Sequence, residues 1–517
     1  MHAKPIIPVH EAIGRRAAQA PGAIAFADGD ATVTYHELDR DAHRIAGALQ
    51  RLGGVAERPV ALRLASGARQ VAASLGVLRA GGYLLWFGDG ETGESSRAIL
   101  AESRPGMLLV DGDPAEDPLA SWYGKECGGR AADLRALERG EPAAPPTLSR
   151  SDLSRPAYLA YTSGSTGRPK GVVQTHEALA QFAGWLGAEF RLGPGCRVAQ
   201  WTAVEHDPAI CEIFATLAAG GTVCPVPPGI RTNPERLVAW LGARGITFLQ
   251  TVPTVAREIL RVVTGLPAPW GSLECLVLMG EAVPVRLATS LRAALPSVRL
   301  ANIYGPTETI AATWYDITGA ESGTVPIGRP IPGRQVFVVD DGDRPCPPGV
   351  IGQIVVRSRY VGDGYLGGRA GAEAFRPLDG VDPVPGHRFY RTGDLGCHRA
   401  DGLLEFRGRA DLQVKLAGTR VELTDVETVL AEHETVAECA VVAGVDADGL
   451  VTHLTAYVVP SLRPPPDSAV WRAHLRRRFG TKLRLVSFVA LDEPLPRNVS
   501  GKVDRRRLRV TPHVGSK

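Results

Sequence analysis

Residues 159–172 read Leu-Ala-Tyr-Thr-Ser-Gly-Ser-Thr-Gly-Arg-Pro-Lys-Gly-Val. An apolar, strand-like run from Tyr158 to Tyr161 opens into a segment carrying Thr162, Ser163, Ser165 and Thr166, with Gly164, Gly167 and Gly171 between them. Glycines let successive backbone N–H groups crowd round an anion, the hydroxyls add donors, and Lys170 adds a compact positive charge. The pattern predicts a phosphate-gripping loop at the end of a strand. It is not a Walker A motif, which needs G-x-x-x-x-G-K-[ST]. Here Gly164, Gly167 and Lys170 lie three apart and Gly171 follows the lysine.

Working outward, strand and helix patterns alternate along most of the chain. Pro59–Leu64 reads as a strand, followed by a helical stretch with Val71, Leu75 and Leu78 on one face, then strands at Tyr83–Phe87 and Met107–Val110. Beyond the loop come strand Arg197–Trp201, helix 208–219, strand Thr222–Val226, helix 234–243, strand Ile246–Thr251, helix 254–263, strand Leu276–Met279, helix 284–294 and strand Arg299–Ile303. Repeated β-α units predict parallel sheets covered by helices. Ligands of such sheets bind past the C-terminal strand ends, where the 162–171 loop and the segment after Ile303 both fall. Residues 335–409 change to short strands and Gly/Pro turns, a smaller β unit, and a compact α+β tail follows Asp411. Ala131–Pro146 and Pro464–Asp467 read as surface loops. The expected fold is α/β: residues 1–410 form a core of two parallel-type subdomains plus a small β subdomain, and 411–517 a small mobile α+β domain.

Composition narrows the function. At 517 residues the chain is too long for one core. A 44% hydrophobic and 22% charged composition is that of an ordinary soluble protein. A net charge of +3 implies no nucleic-acid footprint, and no apolar run approaches the ~18 residues of a membrane span. The eight cysteines are dispersed without a C-x-x-C pair, so they read as buried thiols in a reducing, cytoplasmic compartment. Arginine supplies most of the 58 basic residues, and lysine occurs only at 4, 125, 170, 415, 482, 502 and 517. Lys170, Lys415 and Lys502 sit inside motifs, where a point ammonium suits crowded oxygens better than a planar guanidinium.

Six segments in order carry a resemblance: Val33-Thr-Tyr-His-Glu-Leu38, the 159–172 loop, Asn302-Ile-Tyr-Gly-Pro-Thr-Glu308, Tyr390-Arg-Thr-Gly-Asp-Leu395, Gly408-Arg-Ala-Asp411 and Asn498-Val-Ser-Gly-Lys-Val-Asp504. Together they resemble the acyl-adenylate-forming superfamily, which holds the acyl-CoA synthetases, firefly luciferase and the adenylation domains of nonribosomal peptide synthetases. The resemblance runs from about residue 10 to residue 510. It implies attack of a carboxylate on the α-phosphate of ATP, a step that needs charge neutralisation more than bond-making groups. It implies further that residues 162–170 hold the β/γ-phosphates and that Asn302, Tyr304 and Gly305 bind the nucleotide, Tyr304 offering a flat ring to adenine. Thr307 then meets the α-phosphate, Glu308 holds Mg²⁺, Asp394 accepts from the ribose hydroxyls, and Arg409 donates nearby. Lys502 bridges carboxylate and phosphate–ribose oxygens. Asp411 is the hinge on which the C-terminal domain turns, bringing the loop at Lys415 and Gly418 to a second, thiol-accepting half-reaction. That loop reads Lys415-Leu-Ala-Gly418 rather than Lys-Ile-Arg-Gly, and Leu85-Trp86-Phe87 replaces a common Val-Pro-Leu/Ile-Asp, a departure read as structural.

Glu205-His-Asp-Pro-Ala-Ile-Cys-Glu-Ile-Phe214 resembles the Phe-Asp-x-Ser segment of amino-acid-activating members, placing Asp207 where an α-ammonium is held. Asp207-Pro208 is also a good N-cap and N1 pair for the helix 208–219. Aligned outward, the pocket is lined by Pro208, Cys211, Thr254, Val277, Met279, Ile303, Ala311 and Ala312, with nothing charged facing the side chain. Bulky Met279 and Ile303 favour a small apolar residue such as alanine, while Ala311 and Ala312 argue mildly for something larger. With no Leu-Gly-Gly-x-Ser site in the chain, the expectation is a free-standing ligase of peptide or polyketide antibiotic pathways. Its acceptor is the phosphopantetheine thiol of a discrete carrier protein, which the basic segments Arg472–Arg478 and Arg505–Arg509 could face. The alternatives are an acyl- or aryl-CoA ligase of the same superfamily and a P-loop-like ATPase.

Overall fold

The computed structural model describes residues 6–88, 93–139, 153–162, 169–231, 233–264, 271–368, 372–410, 413–480, 483, 485–497 and 503–508. By its internal contacts the chain divides into two compact units. One comprises 1–92, 96–161 and 171–408, the other 93–95, 162–170 and 409–517.

The large unit is built on two open sheets. The first runs, in spatial order, Ala131–Asp133, Met107–Val110, Pro59–Arg63, Tyr83–Phe87, Pro156–Thr162 and Lys170–Thr175. The second runs Arg329–Pro330, Thr313–Asp316, Arg299–Tyr304, Cys275–Met279, Phe248–Thr251, Arg197–Gln200, Thr222–Pro225, Ile24–Asp28 and Ala31–Thr34. The central pairings in both are parallel, as the β-α alternation predicts. Antiparallel strands close both edges of the second sheet.

Alternation along these strands explains why they read as unbroken apolar runs: both faces are buried. Val60, Leu62, Leu84 and Leu109 of the first sheet and Phe248, Val277, Ala301 and Ile303 of the second share one core with intervening helices. Leu108 and Leu85 face outward to a separate core, and Leu249, Leu276, Leu278 and Leu300 to another.

Two sequence features prove to be joinery. In Val33–Leu38, Thr34 and Glu37 form a capping box for the helix Tyr35–Leu52, and the buried Tyr35 hydroxyl donates to the carbonyls of Leu217 and Gly221. Trp86 donates to Ser74 and packs among Tyr158 and Phe214, in keeping with a structural reading of Leu85–Phe87.

Three expectations need correction. Ala131–Pro146 is not all loop: Ala131–Asp133 adds an edge strand, and Leu134–Glu138 is a helix capped by Asp133, while 140–146 lie outside the described residues. The helix expected at 208–219 is three pieces, Pro208–Ile210, a π-helical turn Cys211–Ala215 and Thr216–Ala219. The cysteines are not uniformly buried; Cys127 is exposed.

A four-stranded antiparallel sheet, Arg334–Val339, Gly352–Ser358, Arg388–His398 and Leu404–Arg409, completes the large unit. In the smaller unit the hairpin Gln413–Leu416/Thr419–Glu422 precedes a three-stranded sheet, Val436–Val445, Val451–Pro460 and Val486–Ala490, packed with the helices Leu423–Ala431 and Ser468–Phe479.

Candidate functional site

Strand Arg299–Tyr304 ends at the C-terminal edge of the second sheet, and its last residues divide between two environments. Ile303 is buried and points into the shared core, directly in register with Met279 on the neighbouring strand. Tyr304, the next residue, faces the other way. Its ring packs beside Phe406, centroids 6.3 Å apart, and its hydroxyl donates to Oδ2 of Asp394 at 2.5 Å. Asp394 sits in the strand Arg388–His398, its backbone N–H bound to the Thr392 hydroxyl. Asn302, also on this strand, spends its amide donor on the Pro326 carbonyl at 3.0 Å, so it ties the strand to the loop that follows.

The chain then turns sharply. A Cβ on Gly305 would lie 2.3 Å from the Cα of Ala311, so only glycine allows the turn to fold back on itself. Thr307–Thr309 is a single 3₁₀ turn. The Thr307 carbonyl accepts from the Gln174 side chain at 2.9 Å. Glu308 is fully buried, and its Oε1 accepts from the Tyr365 hydroxyl at 2.8 Å. Ile310 and Ala311 follow with φ of 50° and 82°, a left-handed corner that β-branched isoleucine rarely occupies. Ala312 returns to the sheet, its N–H donating to the Tyr304 carbonyl at 2.7 Å. Thr307, Glu308, Tyr304 and Asp394 are thus gathered at one strand end, although Asp394 is distant in sequence.

The expected acyl pocket lies on the core-facing side. Val277, Ile303 and Ala311 belong to the shared core, and Met279 packs against it. Thr254, at the start of the helix Pro253–Val263, donates from its N–H and its hydroxyl to Glu281 at 3.0 and 2.7 Å, so its polar atoms are engaged by a carboxylate. Asp207 is half-buried in the turn that opens the interrupted helix, its carbonyl accepting from the N–H of Ile210. Two residues not foreseen brace this wall. Gln250, the register partner of Val277, donates to the Pro208 carbonyl at 3.2 Å. Glu212, on the π-helical turn beside Cys211, is fully buried and accepts from the N–H and hydroxyl of Thr202. Burial pushes its carboxyl up to about 8, against the opposing pull of the Thr202 hydrogen bonds and the Arg231 charge. A glutamate inside an apolar stretch was the available signal for it.

Of the remaining expected residues, Thr162 and Lys170 are half-buried at facing strand ends, the Thr162 hydroxyl 3.5 Å from the Lys170 carbonyl. Ser163, Gly164, Ser165, Thr166 and Gly167 lie outside the described residues, as do Asp411 and Lys502. Arg409 closes the strand Leu404–Arg409. Lys415 pairs with Arg420 in a hairpin whose two turn residues, Ala417 and Gly418, have φ of 48° and 81°, the signature of a tight two-residue turn.

Two α/β sheets sharing a core, with polar residues gathered at the end of one strand, define a nucleotide-handling enzyme of the acyl-adenylate-forming class. The chain belongs to the AMP-binding enzyme family, whose model matches residues 13–366, and the model of that family's C-terminal domain matches residues 425–502. It is 36% identical over 96% of its length to the probable non-canonical nonribosomal peptide synthetase CymA of Salinispora arenicola, of which it spans 6%. To the phosphinothricin tripeptide synthetase PhsB of Streptomyces viridochromogenes it is 36% identical, again over 96% of its length, spanning 41% of that protein. The crystal structure of IdnL1 superposes with a TM-score of 0.77 at 28% identity, covering 95% of this chain and 98% of that one. Among the described residues no helix is long and apolar enough to cross a membrane.

Proposed function

We propose that the protein activates an amino acid with ATP, releasing pyrophosphate, and passes the resulting acyl group to the phosphopantetheine thiol of a separate carrier protein. The end of the strand Arg299–Tyr304 carries this reading. Ile303 faces an apolar wall with Met279, while Tyr304, one residue on, is bound to Asp394. An acid on one side and a nucleotide on the other meet across two consecutive residues.

In this scheme a carboxylate oxygen attacks the α-phosphorus and the bond to the pyrophosphate oxygen breaks. Tyr304 offers its ring to adenine, Asp394 accepts from the ribose hydroxyls and Thr307 donates to the α-phosphate, with Asn302 and Gly305 holding the turn that aims them. Residues 162–170 hold the β/γ-phosphates. Glu308 is a single carboxylate oriented by Tyr365, the kind of donor that binds Mg²⁺ together with substrate phosphates. Mg²⁺ held there supplies charge neutralisation between the two anions. Lys502 serves the adenylating half-reaction, Lys415 and Gly418 the thiol half-reaction, and Asp411 is the pivot between them. Relatives named as peptide synthetases support an amino acid over a free acid, with Asp207 holding its ammonium. Bulky Met279 and Ile303, side by side, favour a small apolar side chain such as that of alanine.

Pyrophosphate release across a panel of amino acids and free carboxylic acids tests this. The expected result is release with small apolar amino acids. Asp207→Ala should raise the amino-acid KM by at least about tenfold, about 1.4 kcal/mol, with little change for ATP. Release with free carboxylic acids alone, or an equal loss for both substrates, overturns it.

A further inference from the structure

Arg334 is an unusual cation. It begins the strand Arg334–Val339 and is 4% exposed. Its guanidinium donates to the Ala311 carbonyl at 2.7 Å, the Gln181 side-chain oxygen at 2.7 Å, the Pro332 carbonyl at 3.3 Å and the Thr309 carbonyl at 3.4 Å. It lies over the rings of Tyr360 and Phe182, 5.4 and 5.9 Å from their centroids. None of these contacts is a carboxylate. Burial lowers its pKa to about 10, so it remains charged at neutral pH. A buried charge held by neutral acceptors is a poor way to stabilise a core, because its desolvation is not offset by an opposite charge. What a guanidinium does supply is a rigid fork that fixes several acceptors at once.

Two of those acceptors belong to the strained corner. Ile310 and Ala311 both have left-handed backbone, a conformation that persists only where the surroundings over-determine it. The carbonyls on which Arg334 closes are those of Thr309 and Ala311, one before and one at the end of that pair. Gln181, on the helix His176–Glu189, accepts from Arg334 and donates to the Pro332 carbonyl at 3.0 Å, anchoring the brace to the body of the large unit. Ala311 and Ala312, which issue from the corner, are two of the expected walls of the acyl pocket.

We propose that Arg334 is a positioning residue that holds the Ile310–Ala311 corner in its left-handed form and thereby sets which acyl side chain the pocket admits. This rests on the amino-acid-activating reading above. Without the fork, the corner relaxes toward ordinary backbone and carries Ala311 and Ala312 with it, so binding weakens and selectivity broadens. Tyr304 touches the corner through its carbonyl, which accepts from the Ala312 N–H, while its hydroxyl is held by Asp394 on the other side of the strand, so the nucleotide side should feel the change less than the acyl side.

The test is pyrophosphate release by Arg334→Met and Arg334→Lys, read as separate KM values for amino acid and ATP and as preference between small and larger side chains. In Arg334→Met the amino-acid KM should rise about tenfold, with kcat and the ATP KM within about threefold, and preference should shift at least about fivefold toward larger side chains. Arg334→Lys, which keeps the charge but not the fork, should fall between. A folded Arg334→Met with unchanged preference, or with equal rises in both KM values, overturns the proposal. If Arg334→Met does not fold, Gln181→Ala and Arg334→Lys decide it: a shift in the same direction supports the brace, and no shift in either overturns it. Should the wild type use only free carboxylic acids, the amino-acid reading falls and the same comparison is made with those acids.

Discussion

The Tyr304 hydroxyl donates to Oδ2 of Asp394 at 2.5 Å, joining the end of a core strand to a residue 90 positions later in the four-stranded sheet. The bond ties the ring of Tyr304, packed beside Phe406, to a carboxylate of the neighbouring sheet. In the proposed reaction the ring takes the base and the acid the sugar hydroxyls.

Tyr304→Phe keeps the ring and deletes this bond. A hydrogen bond to a charged acceptor contributes about 1.5–3 kcal/mol, so the KM for ATP should rise at least about tenfold while that for the acyl substrate changes little. Steady-state kinetics with each substrate varied in turn checks this. An unchanged ATP KM would mean that the pair is only a strut.

Met279 and Ile303 are register partners on adjacent parallel strands, so their side chains lie side by side on the core-facing side of the sheet, where the proposed function puts the acyl group. Met279→Ala or Ile303→Ala should move preference toward larger apolar side chains. The shift should be partial, because each methylene admitted is worth only about 1–3 kcal/mol of discrimination. Competition between short and long aliphatic substrates reads the shift, and no movement in either variant would place the pocket elsewhere.

Glu212 gives a pH dependence of stability. In the folded protein it holds its proton up to about 8, whereas a free carboxyl releases it near 4.5. Within that window the folded state binds the extra proton, so stability falls as pH rises from about 4.5 through about 8. Glu212→Gln removes the titration and should abolish at least about 1.4 kcal/mol of that fall, the worth of one pKa unit. Melting curves of both proteins from pH 5 to pH 8 make the comparison. Parallel slopes would show that Glu212 is ionised throughout.

Much of this was legible in the chain. Parallel sheets followed from apolar strands spaced by helix-length segments, because a strand buried on both faces cannot show period-two alternation. The helix 234–243 was readable to the residue, since Asn233 caps it and Pro234 opens it. The motif residues Tyr304, Thr307, Glu308 and Asp394 were nameable because their segments, taken in order, resemble those of the acyl-adenylate-forming superfamily.

What the local pattern could not carry was any relation between distant segments. That Tyr304 binds Asp394, that Gln250 braces Pro208, and that Arg334 closes on Ala311 each depends on two pieces of chain meeting only after the sheets have formed. The π-helical turn at Cys211–Ala215 was hidden for a related reason. One extra residue in a turn shifts the helical phase by about 100°, but pieces as short as Pro208–Ile210 and Thr216–Ala219 hold too few apolar positions on either side for the shift to show in the sequence. Residue order and period therefore determined the fold class and the chemistry on offer. Which donor meets which acceptor, and with what strain at Ile310 and Ala311, was decided by packing, because hydrogen bonds and desolvation act through space rather than along the chain.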